Sequence, residues 1–134
     1  MLTLTILSIS SLRVAEIVVH ESALEDQLTT NDLKLIFFGT KTHWQDGQPI
    51  TLCIDQSGEE AIVFYKKVLN KNIRAYKRYW TKRLFSGNAS TIPRYLNTSA
   101  KVLEYVSKKE GAICFIARLP EILPEGVKKI KIID

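Results

Sequence analysis

Apolar positions along this chain alternate between short β-branched runs and stripes at helical spacing. Residues 14–19 form a run of Val, Ile and one Ala interrupted only by Glu16. Such a run predicts a central, buried strand. Residues 20–27 are polar and read as a loop. Thr29, Thr30, Asn31 and Asp32 then offer several helix N-caps, and Leu33, Ile36 and Phe37 make a helical stripe that stops at Gly39. Residues 42–47 predict a loop with a turn at Asp46-Gly47, where Trp44 anchors the loop to the core. Ile50-Thr51-Leu52-Cys53-Ile54 predicts a second buried strand. A tight polar loop, Asp55-Gln56-Ser57-Gly58, leads from it into a stripe of Ala61, Phe64, Tyr65, Val68 and Leu69. Ser57 as N-cap with Glu60 three residues later has the form of a capping box.

The pattern continues beyond the break at Asn70-Lys71-Asn72. Ile73, Tyr76, Trp80 and Leu84 share one face of a helix, while Arg74, Arg78 and Lys82 line another. The basic face is expected in solvent and Tyr76 and Trp80 in the core. Gly87 is available as a C-terminal cap. Residues 89–96, with Pro93, read as a loop. Thr98 caps a helix with Val102, Leu103 and Val106 inward, closed by Gly111. Residues 112–116 are continuously apolar and predict an interior strand. Pro120 and Pro124 mark a loop, and residues 127–133 set Val127, Ile130 and Ile132 among three lysines as a last, half-exposed strand. Strands alternating with helices predict an α/β domain with a central mixed, mostly parallel sheet flanked by helices, its interior holding strands 51–54 and 112–116.

Composition narrows the class. A chain of 134 residues with 46% apolar and 25% charged positions fits one globular domain. Cys53 and Cys114 both lie in apolar runs and read as buried small hydrophobes, with a disulfide between them left open. His20 and His43 lack partners at metal-ligand spacing. No nucleophile–base set, metal set or cofactor loop is visible, so neither an enzyme nor a cofactor is expected. The formal net charge of +5 is uneven: residues 61–103 carry ten basic side chains and no acidic one. A region of this kind attracts anions or an acidic partner. The loop from strand into helix at Ser57 and Gly58 has two readings on its residues alone. It is either an ordinary capped turn or an anion site made by free helix N–H groups.

At the N-terminus, residues 2–12 are apolar and Ser/Thr-rich, with the length of a signal-peptide core but no basic segment before it. Residues 1–15 are read either as the remnant of such a signal or as a first strand, and residues 14–134 as the domain. The apolar run is too short to span a bilayer.

Four segments together resemble a known family. Phe37-Phe38-Gly39-Thr40-Lys41 followed by Trp44-Gln45-Asp46-Gly47 is similar to the F-x-G-K…W-x-D-G segment of the phosphate-binding proteins of ABC phosphate transporters. Asp55-Gln56-Ser57-Gly58-Glu59 resembles their D-G-S-G-T phosphate loop. Tyr79-Trp80, Arg83, Phe85 and Gly87 look like their Y-W-x-x-x-x-F-x-G segment. Residues 111–116 are similar to their G-A-I-G-Y-V strand. The match runs in order over about residues 14–116.

The resemblance implies a type 2 periplasmic-binding-protein-like fold. The chain has the length of one lobe, where those relatives close two lobes on phosphate. Carried over by position, Asp55, Ser57, Gly58 and Glu59 are the expected ligands of phosphate or another oxyanion. Glu59 stands where the family has Thr, and Cys53 where it has Arg; both changes remove affinity for an anion. The resemblance also implies export to the periplasm, and as partners a membrane transporter or sensor protein, or a second copy in a homodimer. A ligand-free interaction module on the same fold is the alternative. Nucleic-acid binding through the basic residues of segment 66–83 is a second one, and it is not expected, because the interleaved aromatics belong to the apolar stripe.

Overall fold

The computed structural model describes residues 16–134. The segment 1–15, on which the signal-or-strand expectation and the start of the first run fall, lies outside the described residues. Six strands form one sheet: β1 (Glu16–His20), β2 (Gln27–Thr29), β3 (Thr51–Asp55), β4 (Arg94–Leu96), β5 (Ala112–Ile116) and β6 (Val127–Ile133), in the order β2-β6-β1-β5-β3-β4. β2 pairs with β6, and β3 with both β4 and β5, in parallel. β1 runs antiparallel to both of its neighbours, β5 and β6. The sheet is therefore mixed and mostly parallel, and β3 and β5 are interior, as their unbroken apolar runs require.

Two strands go beyond the sequence pattern: β4 falls in the segment 89–96 that reads as a loop, and β2 falls between the loop at 20–27 and the N-caps that begin at Thr29. β2 and β4 have three residues each and lie at the two edges of the sheet. Three residues are too few for a period of two to register, and an edge strand carries little hydrophobic signal.

Helices cover both faces. α1 (Thr30–Phe37) begins at a capping box in which the Thr29 hydroxyl accepts from the Asp32 amide and the Asp32 carboxylate accepts from the Thr29 amide. The Thr29 amide, and then its hydroxyl, hold the Asp32 carboxyl below the usual carboxylate range. α2 (Gly58–Phe64) runs into a single π-helical turn, Tyr65–Leu69, which ends at Asn70 in the left-handed region. α3 (Ile73–Phe85) and α4 (Ser99–Lys108) complete the set. No helix among the described residues is long and apolar enough to cross a membrane.

The pleat of the sheet sorts the core into two layers. Ile17, Val19, Ile54, Ile113 and Phe115 face α1, α2, the π turn and α3. Val18, Cys53, Cys114 and Ile116 face α4, against Val102 and Val106. In the first layer the Phe64 ring stacks on Phe115 with centroids 4.5 Å apart and meets the edge of Phe37 at 5.3 Å. The last carbonyls of α1, which have no helical partner, accept side-chain donors from α3. The Tyr76 hydroxyl donates to the Phe37 carbonyl at 2.5 Å, Trp80 Nε1 donates to the same oxygen at 3.3 Å, and the Tyr79 hydroxyl donates to the Phe38 carbonyl at 2.6 Å. Burial pushes the Tyr76 phenol well above its usual range. Trp44 is buried, and its Nε1 donates to the Gly111 carbonyl, so it anchors its loop as expected.

The basic residues Lys66, Lys67, Arg74, Lys77, Arg78 and Lys82 are exposed, while Tyr76 and Trp80 are buried. Leu84, expected on the buried face, is 39% exposed. It sits in the last turn of α3.

Cys53 and Cys114 are register partners on β3 and β5, both buried free thiols with their sulfurs 2.6 Å apart. Desolvation, and next the neighbouring Cys53, push the Cys114 thiol well above the ordinary range. A thiolate is the reactive form, so the native protein is expected to resist Ellman's reagent and to release both equivalents only after denaturation. Immediate reaction of the native protein would contradict this burial.

Candidate functional site

β3, β4 and β5 are parallel and finish at the same end of the sheet, at Asp55, Leu96 and Ile116. The chain leaves β3 for α2 on one face and leaves β4 for α4 on the other. Adjacent parallel strands whose connections depart to opposite faces leave a crevice between them, the usual ligand position in open α/β sheets. The four residues expected from sequence, Asp55, Ser57, Gly58 and Glu59, all lie on one side of this crevice.

Asp55 is a fully buried carboxylate. Its Oδ1 accepts from the Ser57 amide at 2.8 Å and from the Ser57 hydroxyl. Its Oδ2 accepts from the Ser99 hydroxyl at 2.5 Å and from the Ala117 amide at 2.9 Å. Ser99 Oγ in turn accepts from the Arg118 amide at 3.1 Å. One carboxylate thus ties together the exit of β3, the first turn of α4 and the exit of β5. Four donors surround it, and no cation pairs with it among the described residues. The outer side of the crevice is bridged by Gln56, whose amide donates to the Leu96 carbonyl and whose Nε2 donates to Asn97 Oδ1.

The capping box read at Ser57 and Glu60 does not form. Ser57 holds the N-cap position with extended backbone but makes no side-chain cap. Its hydroxyl proton goes to Asp55, because a hydrogen bond to a buried ionised acceptor is about twice as strong as a neutral one. The backbone N–H groups of Gly58, Glu59 and Glu60 open α2 without a side-chain cap. Gly58 has φ of +72°, and a β-carbon there would lie 2.5 Å from Glu60 Oε1. The Glu60 carboxylate therefore folds back over the start of the helix, and Glu59 projects into solvent.

Sequence alone missed Ser99, Ala117 and Arg118, which the fold brings to the same end from 44 and 62 positions along the chain for the first two. The only local cue was Thr98, which does cap α4 by accepting from the Lys101 amide. Arg118 is exposed, with its amide held at the first turn of α4, while Cys53 is buried inside the sheet. Among the described residues no group of His, Cys, Asp and Glu side chains could hold a metal ion.

No known protein family matches the sequence, and no curated protein does. Solved structures do share the fold. A crystal structure of an ABC-type phosphate transport receptor from Vibrio cholerae superposes with a TM-score of 0.54 at 18% identity, over 87% of this chain and 45% of that one. A structure described as a phosphate ABC transporter substrate-binding protein with bound phosphate, from Clostridium perfringens, superposes with a TM-score of 0.61 at 16% identity, over 89% and 46%. The chain therefore spans a little under half the length of these proteins, and its fold matches half of a phosphate-binding protein.

Proposed function

We propose that this chain is a non-enzymatic binding module, built as one lobe of a solute-binding protein, that takes phosphate or a similar oxyanion weakly at the crevice between β3 and β4. The observation that carries the reading is the latch at Asp55. It holds the open N-terminus of α2, the first turn of α4 and the Arg118 segment at one end of the sheet, in a fold shared with a phosphate-bound protein. The ligands assigned are the N–H groups of Gly58 and Glu59, with Arg118 as countercharge. Asp55 and Ser57 act behind them, since their hydrogen bonds are directed at each other.

Weak binding follows from the same geometry. Glu60 folds its carboxylate over the helix start, Glu59 adds a second negative charge in the same turn, and a single lobe covers only one side of the ligand. A dissociation constant on the order of millimolar is expected, about 4 kcal/mol. A second copy or a partner at a transporter or sensor would supply the other side, and export to the periplasm belongs to this reading.

Calorimetric titration of phosphate at low salt tests it. Glu59→Thr and Glu60→Gln are each expected to tighten binding by roughly three- to tenfold by removing repulsion at the helix start. Equal affinity in wild type and both variants would count against the crevice as the site. The second reading, an interaction module without a ligand, is favoured by the fold-back of Glu60, which occupies the helix start with the protein's own carboxylate. That reading expects no phosphate binding in any of the three proteins.

A further inference from the structure

The opposite end of β3, where the strand begins, holds a concavity that the proposed crevice does not use. β4 pairs only with Cys53, Ile54 and Asp55, so the first half of β3, paired with β5 on one side, has no strand beside it on the other. Below Arg94 the chain swings away, leaving a notch of about 550 Å³ against Thr51 and Leu52. That volume is in the range of small-molecule sites and well beyond what one inorganic ion fills. Lys41, Arg83, Arg94 and Lys109 line it, and no carboxylate does.

The two arginines are held beside the notch by contacts other than ion pairs. Arg94 lies over the Tyr105 ring at 5.1 Å. Arg83 packs over Trp80 at 5.6 Å and donates to the Asn88 carbonyl at 3.1 Å, yet its Nε is buried with no acceptor. Lys41 and Lys109 form no salt bridge among the described residues. A backbone donor joins them. Along β3 the Thr51 amide donates to Gly111 on the β5 side, and the Gln56 amide donates to Leu96 on the β4 side. Alternation therefore turns the Leu52 N–H toward β4, one residue before that pairing begins. Ile50 and Ile92 add apolar wall, Ile92 being 48% exposed.

Several cations outside ion pairs and a backbone N–H without a ladder partner around a partly apolar hollow make one demand. We propose that this notch binds a small organic phosphate monoester, its phosphoryl group at Arg94 and the Leu52 N–H between Lys41 and Lys109, and its apolar body against Ile50 and Ile92. A dianionic head matches guanidinium and ammonium donors better than a monocarboxylate does. The site is separate from the β3–β4 crevice and stands whether or not the crevice takes an anion.

Phenyl phosphate, inorganic phosphate and benzyl alcohol, each titrated into the ¹⁵N-labelled chain at low salt, provide the test. Phenyl phosphate is expected to shift the amides of Leu52, Thr91 and Ile92 and to bind at least about tenfold tighter than inorganic phosphate, with benzyl alcohol inert. The double variant Arg94→Gln, Lys109→Gln is expected to weaken phenyl phosphate by roughly tenfold or more while leaving the amide spectrum elsewhere unchanged. A single variant, Lys41→Gln, covers the case in which the double variant is poorly folded, and is expected to weaken binding about threefold. Shifts confined to residues 55–60 and 97–99, equal affinity for the ester and inorganic phosphate, or folded variants that bind as wild type would overturn the proposal.

Discussion

Asp55→Ala is expected to cost about 3–5 kcal/mol of stability, because it removes the common acceptor of four donors and leaves them facing a buried hole. The amides of Ser57 and Ala117 and the hydroxyls of Ser57 and Ser99 all lose their partner at once. A domain of this size has only about 5–15 kcal/mol in total, so the variant is expected to be marginal at 37 °C. Asp55→Asn keeps one accepting oxygen but presents an NH₂ group where the other stood. Ser99 can turn its hydroxyl to accept from that group, whereas the Ala117 amide cannot. An intermediate loss of about 1–3 kcal/mol follows. Urea denaturation of the three proteins measures both values. A loss below about 1 kcal/mol for the alanine variant would mean that Asp55 does not hold the three loops together.

Gly111→Ala is the second large effect. Gly111 has φ of +82°, and a β-carbon there would stand 2.3 Å from the Pro49 carbonyl oxygen. The obstacle is backbone, and it cannot swing aside as a long side chain could. The same residue also accepts from Trp44 Nε1 and the Thr51 amide, and its own amide donates to the Ser22 hydroxyl. Displacing it disturbs the Trp44 loop and the start of β3 together. Left-handed strain of about 1–3 kcal/mol adds to the cost of moving Pro49, for an expected loss of about 3–5 kcal/mol. Gly47→Ala is the control. Its φ is +91° with nothing near the added carbon, so only the strain applies. Thermal melts that rank the two variants equally would remove the close approach at Gly111 as the cause.

Fold class was legible because the interior strands and the helical stripes carry strong periods. β3 and β5 read as unbroken apolar runs, and Tyr76 and Trp80 fell on the stripe that the core requires. β2 and β4 were hidden by their length and edge position. At the candidate site, the Asp55–Gly58 loop and the strand-to-helix transition were visible in the sequence, while its chemistry was not. Ser57 was free to cap α2 on local grounds, and only the arrival of Asp55 beside it, clamped by Ser99 and Ala117, redirects the hydroxyl. Contacts between residues tens of positions apart have no local signature. The same limit hid the notch, which exists because β4 stops short of Thr51 and because Lys41 and Lys109 reach it from separate loops.

Residue-resolved NMR titration with inorganic phosphate tests the central reading most directly. The ¹⁵N-labelled chain at low salt, taken to tens of millimolar phosphate (a rough figure for a millimolar site), is expected to show saturable shifts at the amides of Gly58, Glu59 and Arg118, reduced by Arg118→Gln and enlarged by Glu59→Thr. Unmoved amides at Gly58, Glu59 and Arg118 across that range, in wild type and in Glu59→Thr alike, would contradict oxyanion binding at the crevice and leave the ligand-free interaction module in its place.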